Sequence, residues 1–286
     1  MENKSLINKL SLTYSNLALV LERIGNLKEA KESILQSIHI VKEYLNGNEV
    51  LLAKYYNNLG FIYLKVFEYK KNIRSSTNNE LDLAKKYINR SLRLFRKIIG
   101  ENHLHYCSIL NNLGMVYEKE GNFNEAKKKY MQGINNIKVI GQVNHKILSQ
   151  LESNLGSASW MSGDFKEGEE LLLSALERDI SIYGQIHLEV AMDLEKLALM
   201  YFESKQFEKS ANYYLNAYNI FKKTVGRFTP TTVLCLENLF YIKRLQDDSK
   251  EIKRIFPILL EASKKLYGEN HVNVTNLKKL SKTYVL

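Results

Sequence analysis

Only two prolines and two cysteines occur in these 286 residues. Average chains carry about 5% proline, and each proline in a helix removes a backbone donor and clashes with the preceding turn. Helices here therefore meet few breakers. The two cysteines, Cys107 and Cys235, exclude a disulfide framework and suit a reducing compartment. No apolar run reaches the ~20 residues that a membrane span needs, and the opening MENKSLINKL lacks the apolar core of a secretory signal. A cytoplasmic location is expected. No Gly-rich phosphate loop is present, because Gly121 and Gly163 stand alone in turns. Acidic side chains are outnumbered, 31 against 41 Lys and Arg, for a net charge of +10. Such an excess can serve nucleic acid. No basic tail or Arg-rich helix concentrates it, so it reads as charge spread over solvated helix faces. Nucleic acid is not an expected partner.

What the chain has instead is a repeat. Leu followed by a small residue occurs at Leu17-Ala18, Leu59-Gly60, Leu113-Gly114, Leu155-Gly156 and Leu197-Ala198, with Leu239-Phe240 and Leu280-Ser281 in the same register. Successive spacings are 42, 54, 42, 42, 42 and 41, so the second unit carries twelve extra residues. A second anchor, a small residue thirteen after the Leu, recurs at Ala30, Ala126, Gly168 and Ser210, and at Ala84 once the twelve are added. The sixth unit breaks it with Ile252. A fixed period of this length means stacked units rather than separate globular domains.

Each unit reads as two helices. Apolar residues three and four apart, as in Tyr56, Leu59, Gly60 and Tyr63, mark one face of the first helix. The small residue beside the Leu lets a partner helix approach. Gly25-Asn26, Gly121-Asn122 and Gly163-Asp164 supply a helix stop followed by an N-cap. Between units the chain reads GENH at Gly100–His103, GQVNH at Gly141–His145, GQIH at Gly184–His187 and GENH at Gly268–His271, with Gly47 and Gly226 in the corresponding places elsewhere. The Gly ends one helix and the polar residues cap the next. The insertion, EYKKNIRSSTNN at 68–79, is polar and without period, and reads as a loop between the helices of unit two. The units are approximately 5–46, 47–100 with that insertion, 101–142, 143–184, 185–226 and 227–268 of a single domain spanning 1–286. A capping helix over 271–286 covers the last apolar face.

The YNNLG of Tyr56–Gly60, the LNNLGMVY of Leu110–Tyr117, the GNFNEA of Gly121–Ala126 and the LYGENH of Leu266–His271 resemble the tetratricopeptide repeat (TPR), in the 42-residue variety of kinesin light chains. The resemblance implies an all-α fold: a right-handed α-solenoid of about six TPR-type hairpins plus a C-terminal capping helix. The family junction usually has Pro after the His. Here Leu104, Lys146, Leu188 and Val272 stand there, which predicts a less rigid start to each helix.

With the Leu numbered position 7 of its helix, positions 4, 7, 8 and 11 form the core side, and positions 2, 5, 6, 9 and 13 point the other way. In the family that other side lines a concave groove for peptides or partner helices. Position 6 holds Asn16, Asn58, Asn112, Asn154 and Asn238, and position 5 adds Asn57 and Asn111. Amides of this kind can pair with an extended peptide backbone, or can tie neighbouring units together. Arg23, Lys65 and Lys119 at position 13, with Lys54 at position 2, make the groove basic toward its start. Glu195, Glu203 and Glu237 make it more acidic toward its end. Phe61, Trp160 and Phe202 are aromatic candidates for side-chain pockets, with Tyr241 a weaker one; Trp160 also suits the core. A ligand with acidic and apolar residues fits this layout. The two-carboxylate clamp that some relatives use needs Lys and Asn at positions 5 and 9. The pairs here are Ser15 and Leu19, Asn57 and Phe61, and Asn111 and Met115, so it is absent.

His103, His187 and His271 hold one junction place in different units and cannot converge on one metal; no nucleophile–base spacing appears either. No metal, cofactor or catalytic role is expected. The expected function is a non-enzymatic scaffold or adaptor whose groove binds a segment of a partner protein. The alternative is a regulatory receptor for a short intracellular signalling peptide. Receptors of that kind often carry an effector domain before the repeats, and the repeat here begins by about Ser5, which favours the scaffold.

Overall fold

The structure, a computed structural model, describes residues 2–72, 78–142 and 146–284. Among the described residues it is all-helical, with no strand. Helices α1 (Glu2–Arg23) and α2 (Leu27–Tyr44) form the first hairpin, α3 (Glu49–Asn72) and α4 (Asn78–Ile98) the second, and α5 (Leu104–Lys119) and α6 (Phe123–Ile140) the third. Then follow α7 (Lys146–Met161), α8 (Phe165–Tyr183), α9 (Leu188–Glu203) and α10 (Phe207–Thr224). The chain closes with α11 (Pro230–Leu245), α12 (Ser249–Tyr267) and α13 (Val272–Tyr284). Contacts group into two compact units, residues 1–162 and 163–286. In each, every helix packs on the one before it.

The turns follow from their residues. Gly25, Gly121 and Gly163 adopt positive φ, and the following Asn26, Asn122 and Asp164 each accept a backbone N–H three residues on. At the junctions the histidine itself is the cap. Nδ1 of His103, His187 and His271 accepts the N–H of the residue two further on, at 3.1, 3.2 and 3.3 Å. Tyr183 and Tyr267 stack on His187 and His271, with centroids 4.1 and 4.7 Å apart. These three helix starts are thus capped without the family proline. The fifth junction uses Thr229 as cap with Pro230 in the first turn.

The small anchors sit where helices touch. A Cβ on Gly60 would lie 2.5 Å from Ile88 Cγ1, and one on Gly114 would overlap the Tyr130 ring. Ala30, Ala84 and Ala126 are fully buried. A second small series, Ser37, Ser91, Gly133, Ala175 and Ala217, lies further along the second helices and is also buried. Gly133 admits Leu151 of the next helix. Ser91 Oγ donates to the Ala53 carbonyl at 2.6 Å, satisfying a hydroxyl that would otherwise be buried unpaired.

The loop expected over 68–79 is helical at both its ends. Residues 68–72 continue α3 and residues 78–79 open α4, while residues 73–77 lie outside the described residues. Phe67 and Leu81 are buried between the lengthened helices, and Lys70 pairs with Glu80 beside them. That pairing, with one turn of apolar contact, carries both helices beyond the 42-residue plan.

Candidate binding face

The face open to a ligand is what the helices leave uncovered. In α3, α5, α9 and α11, positions 0, 3, 7 and 10 are buried with the preceding second helix packed on the first, and position 8 turns to the hairpin's own second helix. Positions 2, 5, 6, 9 and 13 lie largely off these two contacts, although Asn238 at position 6 of α11 shares a hydrogen bond with Tyr214 of α10. Ser15, Asn57 and Asn111 at position 5 are joined to the next unit by position 6. Asn58 donates to Ser15 at 3.2 Å, Asn112 to Asn57 at 3.0 Å and Asn154 to Asn111 at 2.9 Å. The amides therefore tie units together. Asn111 is buried, and its own amide also reaches Met115 Sδ at 3.9 Å.

Two of the three cations at position 13, Lys65 and Lys119, share one carboxylate, which lessens the positive charge expected of the groove there without removing it. Glu68, one turn beyond Lys65, accepts from it at 2.9 Å and pairs with Lys119 of the next unit at 2.8 Å. Burial pushes the Glu68 carboxyl up, but Lys65 and Lys119 outweigh it and hold it below the ordinary range. Lys65 also lies 5.4 Å from the centroid of the half-buried Phe61 ring. Arg23 is exposed at the end of α1. Lys54 is half-buried; burial, then the charge of Lys54, lowers the pKa of His105. Trp160 is 4% exposed, so it belongs to the core rather than a ligand pocket.

In residues 163–286 the same face has a different character. Met192 and Leu199 of α9, at positions 2 and 9, are 41% and 39% exposed. Leu234 and Tyr241 of α11 hold the same two positions at 47% and 49%. Between each pair, at position 5, stand Glu195 and Glu237. Burial pushes the Glu195 carboxyl up to about 7 despite Lys196, and burial also raises Glu237. Phe202 of α9 meets Tyr241 with ring centroids 5.9 Å apart and Phe207 at 5.8 Å, so the two triplets share an aromatic edge. Glu237 and Tyr241 also line a shallow cavity of 290 Å³ with Arg244, Asn276 and Leu280. Sequence reasoning named Phe202 and Tyr241 on this face but not Met192, Leu199 and Leu234. The signal was available as apolar residues seven apart at positions 2 and 9.

Both cysteines are buried, and burial pushes the Cys107 thiol up to about 11. Among the described residues no three His, Cys, Asp or Glu side chains gather as metal ligands. Among them, too, no helix is long and apolar enough to cross a membrane.

Comparison with known proteins agrees with this architecture. A tetratricopeptide repeat model matches residues 78–138 and 148–223, and a second model of that description matches residues 12–40. The TPR-like repeats of a kinesin light chain from Podosopora anserina superpose with a TM-score of 0.54 at 17% identity, covering 76% of this chain and 96% of that one. NprR in complex with its cognate peptide NprX gives 0.63 at 11% identity, covering 97% of this chain and 74% of that one. A clustered mitochondria protein homolog of Aspergillus niger is 27% identical over 116 residues, 41% of this chain but only 9% of that protein. Repeat matches over more than half of the chain, on hairpins whose anchors recur in register, establish that it belongs to the tetratricopeptide repeat family.

Proposed function

We propose that this chain is a non-enzymatic interaction scaffold that captures a peptide or helical segment of a partner protein on its first-helix face, with α9 and α11 as the main contact. The observation that carries the reading is the repeated triplet, Met192–Glu195–Leu199 and Leu234–Glu237–Tyr241. Each places two exposed apolar side chains around a carboxylate that burial has stripped of part of its hydration. Such a carboxylate gains most from a cation that arrives with the ligand, because the desolvation cost is already met in the free protein. The matching segment therefore carries apolar residues and Lys or Arg. At Lys65 and Lys119 an acidic ligand would compete with Glu68, which pairs with both.

A receptor for a free signalling peptide is the second reading. It is supported by the likeness in fold to NprR, which was solved with its cognate peptide. One experiment treats both. Random short peptides are selected by display on wild type and on Leu234→Asp with Tyr241→Asp, two exposed positions whose change leaves the core intact. Wild type should enrich apolar and basic sequences that the variant fails to hold. Equal enrichment by both would overturn the site. Retained binding when the winning sequence is embedded inside a carrier protein supports the scaffold, and dependence on a free terminus supports the receptor.

A further inference from the structure

The twelve extra residues of unit two build a step between the first two hairpins. The first helices α5, α7, α9 and α11 are 16 residues long, whereas α3 has 24 and its partner α4 has 21. α1 stops at Arg23, the counterpart of Lys65, and α3 continues for seven residues more, about 10 Å of helix. At positions 0, 3, 7 and 10 of α3, where α2 packs, Leu52, Tyr55, Leu59 and Ile62 are at most 8% exposed. The same row runs on to Val66 and Tyr69 at positions 14 and 17, and there Tyr69 is 58% exposed. A cavity of 430 Å³ lies beside them, bordered from the first hairpin by Leu27, Lys28 and Lys31 at the start of α2. Leu27, Val66 and Leu83 give it apolar walls, together with the ring of Tyr63. That ring is held parallel to Tyr87 at 5.8 Å between centroids, and Tyr87 stacks in turn on Tyr56 at 5.9 Å. Lys70 also stands on the wall, paired with Glu80, the one carboxylate lining the space among the described residues. Lys28 and Lys31 have no hydrogen-bond or ion-pair partner among the described residues. The cavity is thus apolar within and edged by two positive charges that the fold does not neutralise.

We infer that this cavity is a second binding site, which takes a segment of a partner protein carrying an apolar side chain flanked by Asp or Glu. The apolar group fills the space over Tyr63, Val66 and Leu83, and the carboxylates meet Lys28 and Lys31. The volume is near the low end of the ~300–1,000 Å³ of ligand pockets, which suits an anchoring side chain. Lys28 and Tyr69 line the cavity and are exposed, so the occupant stays continuous with a chain outside it. A basic occupant would leave Lys28 and Lys31 repelling it at the entrance. The site lies within residues 1–162 and does not depend on the α9 and α11 face.

Random displayed peptides are selected on the full chain carrying Leu234→Asp and Tyr241→Asp, so that the α9 and α11 face contributes nothing. Enriched sequences should place Asp or Glu beside an apolar residue. The winning peptide, synthesised with blocked ends, should bind saturably in fluorescence anisotropy at ~0.15 M salt, where screening acts within ~8 Å. Lys28→Glu with Lys31→Glu should weaken it by about tenfold or more. Tyr69→Ser should weaken it as well, with far-UV circular dichroism unchanged because the side chain is exposed. Lys42→Glu with Arg93→Glu makes the same change of net charge on exposed residues about 15 Å further along α2 and α4, and should leave the affinity as it was. Enrichment without acidic residues, equal loss from the two charge reversals, indifference to Tyr69→Ser or no saturable binding would each overturn the inference. Tighter binding of free phenylpropanoate than of the peptide would also overturn it, making the occupant a small aromatic acid. So would a dimer in sedimentation that Lys28→Glu with Lys31→Glu abolishes, which would make the occupant a second copy.

Discussion

Glu68 joins two hairpins, so replacing it should destabilise residues 1–162 well beyond what an exposed carboxylate does. Its side chain is 27% exposed, and those of Lys65 and Lys119 are 31% and 33%. Fully exposed pairs contribute about 0.2–1 kcal/mol, whereas breaking a buried pair by removing one partner costs about 3–5 kcal/mol. The triad lies between these limits, and Glu68→Gln should cost about 2 kcal/mol, since it keeps the shape and leaves two neighbouring ammonium groups uncompensated. The pH dependence has a definite sign. The carboxyl is held below its ordinary 4.5, so its stabilisation is complete above that value and is lost as pH falls through the lowered one. Against burial, Glu68 raises the pKa of Lys119, so that contribution is complete below 10.5 and is lost as pH rises through the raised value. Urea unfolding followed by circular dichroism, repeated from acid to strongly alkaline pH, reads both effects. A Glu68→Gln protein within ~0.5 kcal/mol of wild type, which is the range of ordinary surface changes, would refute the reasoning. An unchanged acid slope would refute it equally.

Two further outcomes follow from the same geometry. Asn58→Ala, Asn112→Ala and Asn154→Ala together remove three bonds between units at about 1 kcal/mol each. The urea midpoint should fall while helical content in buffer stays near wild type, and an unchanged midpoint would show that the ladder carries no stability. Glu195 has a folded pKa of about 7 against an ordinary 4.5, so folding retains a proton through that window and stability falls as pH rises across it. Glu195→Gln should flatten that slope and raise stability above pH 7, by at most about 3 kcal/mol and by less where water reaches the carboxylate. A slope identical to wild type would contradict the burial of this group.

The fold was legible because its packing constraints repeat. Leu59-Gly60 and Leu113-Gly114 sit where a Cβ would strike Ile88 or Tyr130, and chemistry of that strictness leaves a mark at each 42-residue step. The caps at Asn26, Asn122 and Asp164 were readable for a similar reason, since turn and cap are adjacent in the chain. The insertion was not. Its residues lack a helical period, and the pairs that hold the lengthened helices, Lys70 with Glu80 and Glu68 with Lys119, are set by neighbours distant in sequence. The binding face was half legible. Facing away from the core is a matter of helix angle, but whether a side chain there is free for a ligand depends on the adjacent unit. Asn58 and Asn112 are taken up by Ser15 and Asn57, while Met192 and Leu234 resemble core residues until the second helices are in place.

The central claim is that the α9 and α11 face receives the ligand, and amide hydrogen exchange of the whole chain with and without a selected peptide tests it most directly. Binding there should slow exchange in residues 188–203 and 230–245 and leave α3 and α5 unchanged. Protection confined to α3 and α5, or none in α9 and α11 at saturating peptide, would contradict it.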